Sequence, residues 1–416
     1  MKKALVIGLG ISGLASSKFL LQKGYKVVGV DYKNISTGLP IHFYLEKEYQ
    51  PDNQLDLVVV SPGVSPKHPI LCQLQKDIPL FGEISLAANF IKQPMIGITG
   101  TNGKTTVTSI ITHVLNHCRI PAKAVGNIGT PLIDSLTQET DEILVVELSS
   151  FQLETLRSKS FSLGVILNIT PDHLSRYNSF LDYAKTKLNL QNCIKEGGDL
   201  YLSTEIKNRF SSLLGANHLE FAIDPSMQMP RFFASNLAAS FAICSHFSIS
   251  LKKFIEALSF FKPHKHRLEF VRELNQIHFY NDSKATNIDA VRMAVTSLHK
   301  NIWLLAGGCS KGTSFACWSW QLKPWVRGIY VFGSCAEQIG FELSPSLPVI
   351  PTANMQDAVA KAYCNAGPGD VVLLSPGCSS FDEFQNYEHR GNVFKKIVGE
   401  LAVSYTHLRA HETSLH

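Results

Sequence analysis

The stretch that most constrains this chain is TGTNGKTT at residues 99–106, preceded by the apolar run Met95–Ile98 and followed by VTSIITHVL. Val107, Ile110, Ile111, Val114 and Leu115 recur at helical spacing, so the segment predicts a strand, a tight turn and a helix N-terminus. Such a turn leaves a row of backbone N–H groups pointing outward where the helix dipole is positive. Glycines at 100 and 103 let the backbone close around a phosphate chain. Lys104 can reach the terminal phosphates, and the Thr105 hydroxyl is placed for a divalent cation. The strict GxxxxGK[ST] spacing is missed because Ile98 stands where its first glycine would be. The strand-turn-helix context nevertheless predicts a nucleotide-phosphate cradle.

At 416 residues the chain is long for one core, and two or three domains are expected. Hydrophobic content of 45% and charged content of 18% describe an ordinary globular protein, and its apolar runs are broken before membrane-spanning length. The opening MKKALVIGL imitates a secretion signal briefly but runs into Gly8, Gly10 and Gly13, so a buried first strand is expected. Nine cysteines stand singly without a CxxC pair, which points to reduced thiols in the cytoplasm and away from a disulfide framework or zinc site. A net charge of +5 suits anionic substrates and shows no basic stripe for nucleic acid.

Residues 1–92 alternate strand and helix. GLGISG at 8–13 matches the dinucleotide-binding GxGxxG pattern, and Asp31 closes the second strand where a ribose hydroxyl would lie. SPGV at 61–64 is a second turn at a strand end. Residues 93–263 carry the phosphate loop. DEILVVELSSFQLE delivers Glu147 at a strand end, either as a second cation contact or as a cap for the next helix. GVILNITPDHLSRY places Asp172 and His173 after another strand, and FLDYAKTKLNLQ carries Lys185 and Lys187. The residues alone assign neither His173 nor these lysines. From 264 to 403 a third α/β unit follows, with polar clusters NDSKATN, GGCSKG and SPGCSSFDEF at three strand ends, as expected of a second substrate site. Residues 404–416 lack apolar periodicity and read as a non-native tail that ends the preceding helix. The expected fold is therefore α/β in three domains: a Rossmann-like N-terminal domain, a P-loop ATPase-type central domain and a Rossmann-like C-terminal domain.

Taken together, TGTNGKTT, ELSSFQLE, NDSKATN and SPGCSSFDEF resemble the Mur ligases, the ATP-dependent amide-forming enzymes of peptidoglycan precursor synthesis. The first motif marks the superfamily. The others resemble its D-glutamate-adding branch, and the DNPR-like motif of the diaminopimelate- and lysine-adding branch is missing. The resemblance implies transfer of D-glutamate to UDP-N-acetylmuramoyl-L-alanine through an acyl phosphate, with ATP and two Mg²⁺ ions, by a cytoplasmic monomer. It implies that Gly100, Thr101, Asn102, Gly103, Lys104, Thr105 and Thr106 hold ATP phosphates, with Asn236 and Asp282 at adenine and ribose and Arg267 at the phosphates. Thr105 and Glu147 would hold one metal ion, and His173 with a carbamylated Lys187 the other. Lys104, His173, Lys187 and Arg267 would form the catalytic set. Ser12, Asp31, Lys33, Ser61, Pro62, Gly63, Asn127, Ser149 and His173 would meet the UDP-sugar. Lys284, Thr286, Lys311, Ser380 and Tyr387 would surround D-glutamate.

Four positions depart from the family pattern: Phe232 and Phe233 replace a His-Asn pair, Cys309 stands where relatives often have an acid, and Tyr387 where some have Phe. Two other readings stay open on sequence. GLGISG with Asp31 would serve an NAD-dependent oxidoreductase, and a nucleotide-binding regulatory module needs no catalysis.

Overall fold

The computed structural model describes residues 2–412 except 53, 138–139, 223–230 and 311; at 137, 231–232 and 402–412 it describes the backbone alone. Among the described residues, seventeen strands form three sheets in chain order. The first holds β1 (Lys3–Ile7), β2 (Lys26–Asp31), β3 (His42–Leu45), β4 (Leu57–Val60) and β5 (Leu80–Gly82), all parallel in the order β3-β2-β1-β4-β5. The β1 and β4 side chains are almost all buried, which is what strands covered on both faces require. The helix Ile11–Gln22 crosses over from β1 to β2, and Gly24, at φ +80°, ends that connection as the glycine in the sequence predicts.

The second sheet runs β11-β10-β9-β6-β8-β7, again parallel. Its strands are β6 (Met95–Thr99), β7 (Ala122–Gly126), β8 (Ile143–Glu147), β9 (Phe161–Ile166), β10 (Ile194–Ser203) and β11 (Leu219–Phe221). The helix Lys104–His117 lays Val107, Ile110, Ile111, Val114 and Leu115 into the core, the face its periodicity predicts. With five such side chains, this face alone contributes roughly 1.5–3 kcal/mol per residue of burial.

These two sheets belong to one compact unit, and the second unit holds the third sheet from Lys262 onward. That sheet comprises β12 (Glu269–Leu274), β13 (Ile277–Asn281), β14 (Ile302–Gly307), β15 (Val326–Phe332), β16 (Val349–Pro351) and β17 (Val371–Gly377). Its order is β12-β13-β17-β14-β15-β16, parallel except for β12, which forms a hairpin with β13. The hairpin turn is Asn275-Gln276, both at positive φ (51° and 64°), the twist a two-residue hairpin needs.

Within the central stretch, Thr170–Asn178 packs with the second unit, because the Thr170 hydroxyl donates to Asp289 and Asn287 donates to Asp172. One expectation changes. The C-terminal helix runs Tyr387–Glu412 and does not end at Ser404. No Gly or Pro lies between Ala402 and Glu412, so nothing in the backbone chemistry stops it.

Glu83 joins the first two sheets. It opens the helix Glu83–Ala88, is almost fully buried, and its Oε1 accepts the Ile133 N–H at 2.7 Å. Burial pushes its carboxyl from 4.5 to about 7, against the lowering pull of the Ile133 N–H. The folded chain therefore keeps a proton that the unfolded chain releases between pH 4.5 and 7, so this group makes stability rise as pH falls through that window. Denaturant titrations of Glu83→Gln from pH 5 to 8 should show a shallower slope, by on the order of 1–2 kcal/mol across the range. Parallel profiles would show that Glu83 is ionised in the fold.

Candidate functional site

The phosphate loop sits at the C-terminal end of β6, and its geometry follows from its glycines. Gly100 has φ +154° and Gly103, which caps the following helix, φ +87°. A Cβ on Gly103 would stand 2.4 Å from Asn236 Oδ1, so glycine is required there by both conformation and space. Asn236 is buried, and its Nδ2 has no hydrogen-bond partner among the described residues. A second asparagine holds the loop from the other side. Asn168 accepts the Asn102 N–H at 2.9 Å on its side chain and returns a bond to the Asn102 carbonyl at 3.0 Å. Its own carbonyl accepts the Thr101 N–H. The sequence marked NITPDH only for its Asp and His, and so missed Asn168.

Two lysines converge on one acceptor. Lys104 Nζ donates to the carbonyls of Gly100 and Thr101, each at 2.9 Å, and Lys187 Nζ donates to the same Gly100 carbonyl at 2.8 Å. Lys187 is 1% exposed, and its ammonium lies 5.0 Å from the centre of the Tyr183 ring. The Tyr183 hydroxyl in turn pairs with Thr101 Oγ1 at 3.0 Å. Burying an ammonium costs several kcal/mol, which the carbonyl and the ring face offset. A lysine on the amphipathic helix Phe180–Leu188 is thus built into the floor of the loop, while Lys185 lies outside this set of bonds.

Glu147 ends β8, paired in register with Ile98 of β6, and is 2% exposed. Its Oε1 accepts Asn127 Nδ2 at 2.9 Å, and its Oε2 has no partner among the described residues. It does not cap the next helix. Ser149 does, through a reciprocal capping box with Gln152. A buried carboxylate oxygen left open beside the N-terminus of the helix that carries buried Thr105 fits a divalent cation, which takes one or two carboxylates and fills its shell from phosphates and water. Among the described residues no three His, Cys, Asp or Glu side chains converge, so such a cation needs those outside oxygens.

Ser12, Asp31, Lys33 and Ser61–Gly63 gather at the ends of β1, β2 and β4. The Asp31 carboxylate accepts the Leu9 N–H at 2.7 Å and the Lys33 N–H at 3.0 Å, and Ser61 Oγ donates to the Gly8 carbonyl at 2.7 Å. One Asp31 oxygen therefore holds the GLGISG turn and the other the turn that follows β2. Gly13 lies so close to the Gly8 carbonyl that a Cβ would come within 1.9 Å.

In the second unit, His173 stands at φ +53° with its N–H on Asp172 Oδ1 and Nε2 3.6 Å from Oδ2. Asp282 is buried; Ser375 Oγ and the Leu268 N–H donate to its two oxygens, and burial lifts its carboxyl to about 7 despite these bonds and the neighbouring Arg267. That arrangement fixes the turn carrying Arg267, between His266 and Leu268, both at positive φ. Lys284 lies 5.0 Å over the Tyr387 ring, and Ser380 is buried in the SPGCSS loop. Lys311 lies outside the described residues. Thr286 sits between Ala285 and the helix-capping Asn287.

Arg390, missed in the sequence, ties the three polar clusters together. It is fully buried and donates to Ser283 Oγ and O, to the Cys378 carbonyl at 3.1 Å, and more distantly to Ser379 and Gly307. Burial lowers its guanidinium to about 10. Phe233 is exposed on the helix Arg231–His246, and the side chain of Phe232 lies outside the described residues.

The tight fit of Gly103 makes the loop testable. Gly103→Ala should weaken binding of Mg·ATP tenfold or more, about 1.4 kcal/mol, by calorimetry, with the fold retained by circular dichroism. Unchanged affinity would remove the loop from the nucleotide site.

Comparison with known proteins places the chain in a family. Residues 2–82 match the Mur ligase MurD-like N-terminal domain, 98–215 the Mur ligase middle domain, and 266–378 the Mur ligase glutamate ligase domain. The chain is 41% identical to UDP-N-acetylmuramoylalanine--D-glutamate ligase of Protochlamydia amoebophila, across 95% of this chain and 98% of that one. It is 36% identical to the protein of the same name from Chlamydia muridarum, across 96% and 98%. In fold it resembles UDP-N-acetylmuramate-alanine ligase from Thermotoga maritima, with a TM-score of 0.59 at 16% identity over 96% and 99% of the two chains. Three matched domains and near-full-length identity make this chain a member of the Mur ligase family.

Proposed function

We propose that this chain catalyses ATP-dependent joining of D-glutamate to the alanyl carboxylate of UDP-N-acetylmuramoyl-L-alanine, in peptidoglycan precursor synthesis. The observation that carries the reading is the match, over nearly the whole of both chains, to relatives that bear the name of that reaction.

The chemistry follows from charge. A carboxylate is a poor electrophile, so its oxygen first takes the γ-phosphoryl group of ATP, breaking the bond to ADP and giving an acyl phosphate. The D-glutamate amine then attacks the acyl carbon, and phosphate leaves with the C–O bond. The loop backbone from Gly100 to Thr106 and the helix dipole cradle the phosphates, and Lys104 and Arg267 stabilise charge gathering on the transferred group. Mg²⁺, held by Thr105 and Glu147 and at a second site by His173 and carbamylated Lys187, supplies further charge neutralisation when bound. Asn127 orients Glu147 for that role. A carbamate on Lys187 Nζ retains one N–H, enough to keep the bond to the Gly100 carbonyl. Asn236 and Asp282 serve the nucleoside, directly or by fixing the Arg267 turn. Ser12, Asp31, Lys33, Ser61, Pro62 and Gly63 serve the UDP end, with Ser149 near the muramoyl group. Lys284, Thr286, Lys311, Ser380 and Tyr387 receive D-glutamate. The reading carries with it a cytoplasmic monomer; no helix among the described residues is long and apolar enough to cross a membrane.

Phosphate release from ATP with UDP-N-acetylmuramoyl-L-alanine should occur with D-glutamate and not with L-glutamate or diaminopimelate. Release with another amino acid would move the specificity, and release with none would refute the ligase reading. Lys187→Ala should lose about a hundredfold or more in kcat and regain part of it with short carboxylic acids. An active, unrescued Lys187→Ala enzyme would remove the carbamate from the account.

A further inference from the structure

The ends of β15 and β17 flank the end of β14, and each carries a buried cysteine. Cys378 follows β17 directly in the SPGCSS loop, and Cys335 follows β15 by three residues. Their sulfurs lie 3.0 Å apart across the Gly307–Gly308 end of β14. The two glycines make this meeting possible. Gly307 and Gly308 have φ of +138° and +128°, and a Cβ on Gly308 would press within 3.2 Å of Cys378 Cβ.

The loops are held in this register before any covalent bond. The Cys335 N–H and the Ser334 hydroxyl both donate to the Gly308 carbonyl at 3.0 Å. Asp382, from the loop of Cys378, accepts the Ser334 N–H at 2.9 Å. Arg390 grips the Cys378 carbonyl at 3.1 Å. The hydrogen bond between the two sulfurs lowers the Cys335 thiol towards its thiolate, and the same pairing pushes the Cys378 thiol up. The sulfurs therefore need to close by only about 1 Å to reach bonding distance.

We propose that Cys335 and Cys378 form a reversible disulfide under hydroperoxide, locking the SPGCSS loop to the loop after β15, across the end of β14. The Cys335 thiolate attacks one peroxide oxygen; the O–O bond breaks and the leaving hydroxide takes a proton to become water. Cys378 sulfur then attacks the sulfenic sulfur, the S–O bond breaks, and the second oxygen leaves as water with the Cys378 proton. The two thiols lose two electrons together and the peroxide gains them. Excess dithiol reverses the change. The disulfide stands without the ligase reading, whereas its effect on amino-acid addition rests on that reading, because the locked SPGCSS loop carries Ser380.

Purified full-length protein treated with hydrogen peroxide should lose two of its nine titratable thiols. Peptide mapping without reductant should find Cys335 joined to Cys378, and dithiothreitol should restore both. D-glutamate-dependent phosphate release should fall several-fold on oxidation and recover on reduction, while Cys335→Ala keeps its activity through the same treatment. Alkylation of both thiols after peroxide, a link from Cys378 to Cys309, or oxidation to sulfinic acid would overturn the disulfide. A mapped Cys335–Cys378 link with unchanged turnover would overturn the locking role. Absence of phosphate release from the reduced enzyme would strike the ligase reading alone, since the peptide map decides the disulfide independently.

Discussion

The carbonyl of Gly100 is the point on which the phosphate site depends. It accepts from Lys104 at the head of one helix and from Lys187 on another, so two cations are brought to one loop by a single oxygen. Both lysines reach it because Gly100 and Gly103 carry no side chains and take up φ values that other residues avoid. Asn168 and Asn236 then close on the loop from two sides. Local strain, desolvation of Lys187 and the open oxygen of Glu147 are each unfavourable alone. They make sense together as a site that keeps its donors aimed at a polyanion and waits for charge from outside.

The second unit solves a similar problem with one residue. Three loops leave the ends of β13, β14 and β17, and a loop end has no ladder to hold it. Arg390, rooted in the C-terminal helix, supplies five donors in a rigid fork and spends them on backbone and hydroxyl oxygens from all three loops. With no carboxylate among these acceptors, the guanidinium relies on dipoles, and its lowered pKa records the cost of burial. The same loops carry Lys284 and Ser380, proposed above to receive D-glutamate, so both inherit their positions from this buried cation.

Much of this was legible in the sequence, for physical reasons. Buried parallel strands write themselves as apolar runs, and KALVI, LVVV, ILVVE and VVLLSPG were read correctly. The helix after the phosphate loop announced its buried face through spacing. What escaped were edges and irregular pieces: HFYL, LFG, LEF and VIP are three or four residues long and partly exposed. The strand Ile194–Ser203 hides behind its own bulge at Gly197–Gly198, and the hairpin at Asn275-Gln276 lacks the glycine that usually marks such turns. Side-chain roles were harder still. An acid at a strand end reads alike whether it faces a ligand, as Glu147 Oε2 is free to do, or closes on backbone N–H groups, as Asp31 does. Arg390 and Asn168 gave no signal because their partners are carbonyls and amides distant in sequence.

The proposed reaction turns on one chemical event, transfer of a phosphoryl group to a substrate carboxylate at the Gly100–Thr106 loop. Its most direct test is to label the alanyl carboxylate of UDP-N-acetylmuramoyl-L-alanine with oxygen-18 and analyse the released phosphate after turnover with ATP and D-glutamate. An acyl phosphate carries one labelled oxygen into each phosphate formed. Phosphate free of label, with the amide product formed at the same rate, would show that the carboxylate is activated by another route and would contradict the central claim.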